Sequence, residues 1–139
     1  MRLLGVDLGK KRIGLAVMDM EVGLARPLQV MNALAALAKD AEQVALVAKK
    51  EQATGVVLGL PLDGGEETRM SAVMRRFGGE LENRGLTVFY VDESLTSSEA
   101  NSAMFEAGLK ASQRKKRLDS EAACLILERH FQTLGGDKQ

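Results

Sequence analysis

The chain has 139 residues, 45% hydrophobic and 27% charged, the balance of an ordinary globular domain long enough to bury a core. Its 19 basic and 19 acidic side chains cancel, so overall charge says nothing about nucleic acid, and no apolar run nears the roughly 20 residues of a membrane span. One cysteine, Cys124, and one histidine, His130, exclude an internal disulfide, a cysteine-based zinc cluster and any site built on several imidazoles.

The N-terminus enters a strand without a secretory pattern, which with the lone cysteine predicts one cytoplasmic domain over residues 1–139 and no membrane partner. Leu4, Val6 and Leu8 alternate with Leu3, Gly5 and Asp7, the period of a strand. Ile13, Leu15 and Val17 alternate in the same way, and Gly9-Lys10-Lys11 between the two runs predicts a β-hairpin. Asp7 stands near the end of an otherwise apolar strand, beside a basic turn. A buried carboxylate needs a metal ion, a cation or water, so Asp7 is either a metal ligand, a partner of Lys10 or Arg12, or a cap of the turn. A turn over 19–23 and a third strand over Arg26–Val30 follow, with Pro27 suited to a strand start or an edge.

Ala33 to Glu51 has helical spacing. Leu34, Leu37, Ala38, Ala41, Val44, Ala45 and Ala48 form an apolar stripe, and Lys39, Asp40, Glu42, Gln43, Lys49 and Lys50 are expected to face water. Val56–Leu60 is a continuous apolar run ended by Pro61, a strand buried on both faces. The loop over 61–67, with Gly64-Gly65, leaves the end of that strand, where a loop can wall a site. Met70, Val73, Met74, Phe77 and Leu81 predict a core-facing helix to about Arg84, ended by Gly85. Leu86–Val91 is another buried strand and runs into Asp92-Glu93. Those two carboxylates point to opposite faces, Glu93 with Phe89 and Val91, Asp92 with Val88 and Tyr90, and alternation alone does not select one.

Thr96-Ser97-Ser98-Glu99 matches a capping box, followed by helical spacing to a cap at Gly108. Lys110, Arg114, Lys115, Lys116 and Arg117 then form a basic stretch without an acidic side chain. With Lys10, Lys11 and Arg12 they are either solvated surface or contacts to a phosphate backbone. A last helix runs from about Leu118 to Leu134. On it Asp119, Ala122, Ala123, Ile126 and His130 lie near one stripe, with Cys124 a small buried side chain rather than a nucleophile. Asp119 is either the acidic member of that stripe or a helix cap.

Antiparallel strands first and α/β crossovers after them predict a mixed sheet flanked by helices. Asp7, Glu93 and Asp119 stand at element ends and suit a hard cation such as Mg²⁺, which takes oxygen ligands and, as a pair of ions, can drive phosphodiester hydrolysis.

Gly5-Val6-Asp7-Leu8-Gly9-Lys10-Lys11-Arg12-Ile13-Gly14-Leu15-Ala16 resembles the opening motif of the YqgF/RuvX family of RNase H-like proteins. Val57-Leu58-Gly59-Leu60-Pro61-Leu62 resembles its Gly-Leu-Pro-Leu segment, Val91–Ser97 its Asp-Glu-Arg-Leu-Thr-Thr motif, and Leu118–Leu127 its final acidic helix. The resemblance implies an α/β RNase H-like fold with a five-stranded mixed sheet, three antiparallel strands and then parallel ones. It implies a nuclease dependent on Mg²⁺ or Mn²⁺, with Asp7, Glu93 and Asp119 as catalytic and metal-binding carboxylates, and it selects Glu93 over Asp92. The implied partner is nucleic acid, either the 5′ end of pre-16S rRNA or branched DNA such as a Holliday junction. Symmetric cutting of a four-way junction needs two active sites and so a homodimer. Ser94 departs from the family, which usually has Arg there. A non-catalytic RNA- or ribosome-binding module, or an ATP-binding domain of the actin and sugar-kinase type, are the competing readings. The second needs two such domains, and this chain supplies one.

Overall fold

A computed structural model describes residues 1–92 and 111–136, with side chains over 1–92 and 120–134. The opening motif forms the expected hairpin. Strand β1 (Arg2–Leu8) pairs antiparallel with β2 (Arg12–Asp19), from Arg2 opposite Asp19 to Leu8 opposite Ile13. The turn closes with the Gly9 N–H donating to the Arg12 carbonyl at 2.9 Å.

The expected third strand is two short pieces, β3 (Ala25–Pro27) and β4 (Met31–Asn32), both antiparallel to β2. Pro27 has no N–H to extend the ladder. The Leu28 N–H still donates to the Leu15 carbonyl at 2.8 Å, and the chain then leaves β2 and rejoins it at Met31, opposite Ile13. Among the described residues the sheet therefore has six strands rather than five, in the order β3-β2-β1-β5-β6 with β4 also on β2. Strands β5 (Gly55–Leu60) and β6 (Thr87–Asp92) run parallel to β1. The carboxyl ends of β1, β5 and β6 thus share one edge of the molecule, as the crossovers require.

Helix α1 (Leu37–Lys50) begins four residues later than its apolar spacing suggests. Asp40, expected to face water, is buried, and its Oδ1 accepts the Leu34 N–H at 2.8 Å. The carboxylate ties down the segment before the helix, where Ala35 is left-handed at φ 60° and Leu34 is exposed rather than part of the stripe. Helix α2 (Arg69–Glu82) opens with a reciprocal Thr68–Ser71 capping box. Helix α3 (Ala111–Gly136) starts well before the expected Leu118. Arg114 to Arg117 therefore lie in its first turns, and Asp119 lies inside a helix rather than at its cap. The predicted helix over 96–108, with Glu93, Ser94 and Lys110, lies outside the described residues.

The sheet separates two cores. On one face Leu4, Val6, Ile13, Leu15, Val56 and Leu58 pack under Ala41, Val44 and Ala48 of α1 and Met74, Phe77 and Leu81 of α2. On the other face Leu3, Ala16, Met18, Val57 and Val91 meet Ala123, Cys124, Ile126 and Leu127 of α3. Among the described residues no helix is long and apolar enough to cross a membrane.

Candidate active site

Asp7 is half-buried, one residue from the end of β1 and opposite Gly14. Alternation puts it on the face of Leu3 and Gly5, the face covered by α3. Gly5 sets how near that helix comes. A Cβ at Gly5 would lie 2.6 Å from the Ala123 carbonyl oxygen and 2.7 Å from Leu127 Cγ. The small residues Gly5, Ala122 and Ala123 thus let helix backbone approach strand backbone directly.

The direction of α3 follows from its contacts at two levels. Ser120 Oγ donates to the Leu28 carbonyl at 3.1 Å, and the Leu28 N–H donates to Leu15, which stands opposite Val6. Eleven residues on, the Phe131 ring covers Gly23, beyond the far end of β1–β2. Helix α3 therefore runs antiparallel to β1. Asp119 lies one turn before Ala123, displaced toward the Asp7 end of the strand. On β6, Val91 and Phe89 face α3 while Val88 and Tyr90 pack toward α1 and α2. Asp92 shares the second parity, so alternation assigns it to the face opposite Asp7.

The basic turn is at the same end of the sheet. Lys10 and Lys11 are exposed there and Arg12 is half-buried. The N-terminal turns of α3, with Arg114, Lys115, Lys116 and Arg117 in their sequence, lead into the Asp119 turn from that end.

The candidate ligands, Asp7, Glu93 and Asp119, are all carboxylates. His130 is just over three turns past Asp119, buried and in tilted contact with Phe89 with ring centroids 4.8 Å apart, and desolvation lowers its pKa. Burial, reinforced by Glu121 and Glu128, pushes the Cys124 thiol up to about 12, so it offers no thiolate. Such a donor chemistry fits a hard cation rather than zinc. Among the described residues no group of three or more His, Cys, Asp or Glu is gathered for a metal. Glu93 lies outside those residues, and Asp119 is placed by its backbone.

A supporting network went unread in the sequence. At the exit of β5, Asp63 and Glu66 bridge across Gly64 and Gly65, both at positive φ. Thr68 Oγ1 donates to the Pro61 carbonyl at 2.7 Å, closing the base of that loop. Arg75 donates to both Glu67 oxygens at 2.8 and 2.9 Å, and its guanidinium lies 5.1 Å from the centre of the Tyr90 ring. That hydrogen-bonded pairing with Arg75 holds the Glu67 carboxyl below its ordinary range. The Thr68-x-x-Ser71 spacing was the available signal, since it places a hydroxyl at each end of a capping box.

A mixed sheet opening on an antiparallel hairpin, continuing in parallel strands and covered by helices on both faces is an RNase H-like architecture. The chain has that fold in common with Thermus thermophilus RuvC, solved in complex with a Holliday junction substrate, at a TM-score of 0.56 and 18% identity over 97% of this chain and 96% of that one. It belongs to the RuvX family, whose model, described as "RuvX: Holliday junction resolvase", matches residues 1–133. A relative from Maridesulfovibrio salexigens named "Putative pre-16S rRNA nuclease" is 40% identical over 130 residues, covering 92% of this chain and 96% of the relative. One of the same name from Rickettsia bellii is 37% identical over 130 residues, covering 91% and 82%.

Proposed function

We propose that the chain is a divalent-metal-dependent endonuclease acting on structured nucleic acid. The observation that carries this reading is the convergence of Asp7 and the Asp119 turn of α3 on one face and one end of the sheet, beside a basic turn. Asp7, Glu93 and Asp119 would hold one or two Mg²⁺ or Mn²⁺ ions. Such ions, when bound, polarise a phosphodiester and supply a hydroxide nucleophile near neutral pH. The chain's own part is to fix the carboxylates on a strand end and a packed helix and to grip the substrate. Lys10, Lys11 and Arg12, with Lys110, Arg114, Lys115, Lys116 and Arg117, would neutralise backbone phosphates on either side of the carboxylates. Ser94 cannot make the cationic contact of the family's arginine, and the basic stretch from Lys110 to Arg117 would compensate for it.

The relatives' name carries pre-16S rRNA to this chain as a substrate, and the family description carries the Holliday junction. A cleavage panel separates them: precursor rRNA 5′ ends, four-way junctions, duplex and single strands, each with Mg²⁺ or Mn²⁺. Asp7→Asn is expected to abolish cutting while leaving binding within a few-fold. Full cleavage by that variant rejects the site. Metal-insensitive binding with no cleavage of any substrate favours a non-catalytic binding module. Junction cleavage would further require a homodimer, read by sedimentation of the protein–junction complex.

A further inference from the structure

Beneath the β1–β2 turn, on the face away from α3, is a cavity of about 180 Å³. Its walls include the apolar Leu8, Leu37, Met70 and Val73, with Lys10 also among its lining residues. Leu8 follows Asp7 and packs toward the core under α1 and α2. The cavity is therefore at the same sheet end as Asp7, on the other side of the strand.

Three properties restrict what fits. The volume is below the ~300–1,000 Å³ of ordinary ligand pockets, so it suits a single ring system. The carboxylate in its wall, Asp40, is buried and held by the Leu34 N–H at 2.8 Å, so it presents no freely solvated anion to the opening. Lys10 is an exposed residue among those lining the cavity, which makes its rim cationic. An apolar interior with a cation at the mouth matches a base with its phosphate attached.

We infer that this cavity takes one unpaired base of the substrate strand, with the neighbouring phosphate on Lys10. The inference rests on the endonuclease reading and narrows it to nucleic acid with an unstacked nucleotide close to the cut. Fully paired duplex fills only the phosphate contacts.

The test uses fluorescence of 2-aminopurine, placed singly at each unpaired position of an RNA hairpin and of a DNA four-way junction. The full chain carrying Asp7→Asn serves as the non-cutting form. One position is expected to brighten at least threefold on binding, and the arm that brightens identifies RNA or DNA as the source. Adding Val73→Phe, which fills the cavity, is expected to abolish the rise while affinity for fully paired duplex stays within twofold. If Val73→Phe melts early, Met70→Trp replaces it, because Met70 is at an exposed rim. A rise that survives both fillings, or no rise at any position, overturns the inference. Cleavage by the wild-type chain without a rise sinks the cavity and spares the nuclease. A rise that the fillings abolish, with no cleavage of any substrate, does the reverse.

Discussion

His130 is buried against Phe89 at a 41° ring tilt, and desolvation holds its pKa below the ordinary 6.5. The unfolded chain then binds the proton more readily than the fold does. The histidine's contribution is complete above about pH 6.5 and is lost as pH falls through that value toward the lower folded pKa. Glu128 works in the opposite sense, because burial and then Glu121 raise its pKa, so protonation there favours the fold. Urea midpoints measured from pH 7.5 to 5 are expected to fall for the wild type, and His130→Phe is expected to flatten that fall. An unchanged slope in the variant would place the acid sensitivity elsewhere. Periodicity put His130 on the buried stripe of the last helix, where it is. The same reasoning failed at Asp40, because a count of apolar spacing has no means of seeing a carboxylate turn back to cap the loop before its own helix.

At the level of elements, helix α2 holds two adjacent glycines with opposite consequences. A Cβ on Gly78 would collide with the Tyr90 hydroxyl and come within 3.3 Å of Val88 Cγ1, both on β6. The Tyr90 ring is itself covered by Arg75, so it has little freedom to retreat. Gly78→Ala is expected to destabilise by about 1–3 kcal/mol, the range for overpacking. Gly79 has nothing within 4 Å of the added atom and lies in a helix, so Gly79→Ala is expected to stabilise by about 0.5–1 kcal/mol. Chemical denaturation of the two variants reads the signs, and a shared sign would mean that α2 does not pack on β6 as described. The positions of the hairpin and α2 were legible because each repeats its apolar residues at one period over a full element, and those of β5 and β6 because apolar residues fill nearly every position. The two-residue β4 is too short to show a period. The start of α3 was hidden because the basic stretch before Leu118 offers no apolar face to count.

Across the whole molecule, the candidate site draws on the first strand, the residue after the last strand and the last helix, so only the completed sheet can gather it. The order of the motifs was readable in the chain. The antiparallel course of α3 across β1 was not, because it depends on the Gly5–Ala123 contact and on Ser120 reaching Leu28, pairings far apart in sequence. If Asp7, Glu93 and Asp119 do meet, their like charges oppose folding until a cation binds. Asp7→Asn removes one of those charges and is therefore expected to raise the melting temperature of metal-free protein. Added Mn²⁺ is expected to stabilise the wild type by about 2.7 kcal/mol when the free ion is roughly a hundredfold above its Kd, because it binds the fold and not the unfolded chain. The variant should respond far less. Asp63→Asn, which changes an exposed carboxylate in the loop after β5, should keep the full response. Scanning calorimetry of the three proteins with and without Mn²⁺ needs no nucleic acid, so it tests the carboxylates apart from the substrate. Equal metal responses in wild type and Asp7→Asn would remove Asp7 from the metal site, however closely α3 approaches β1.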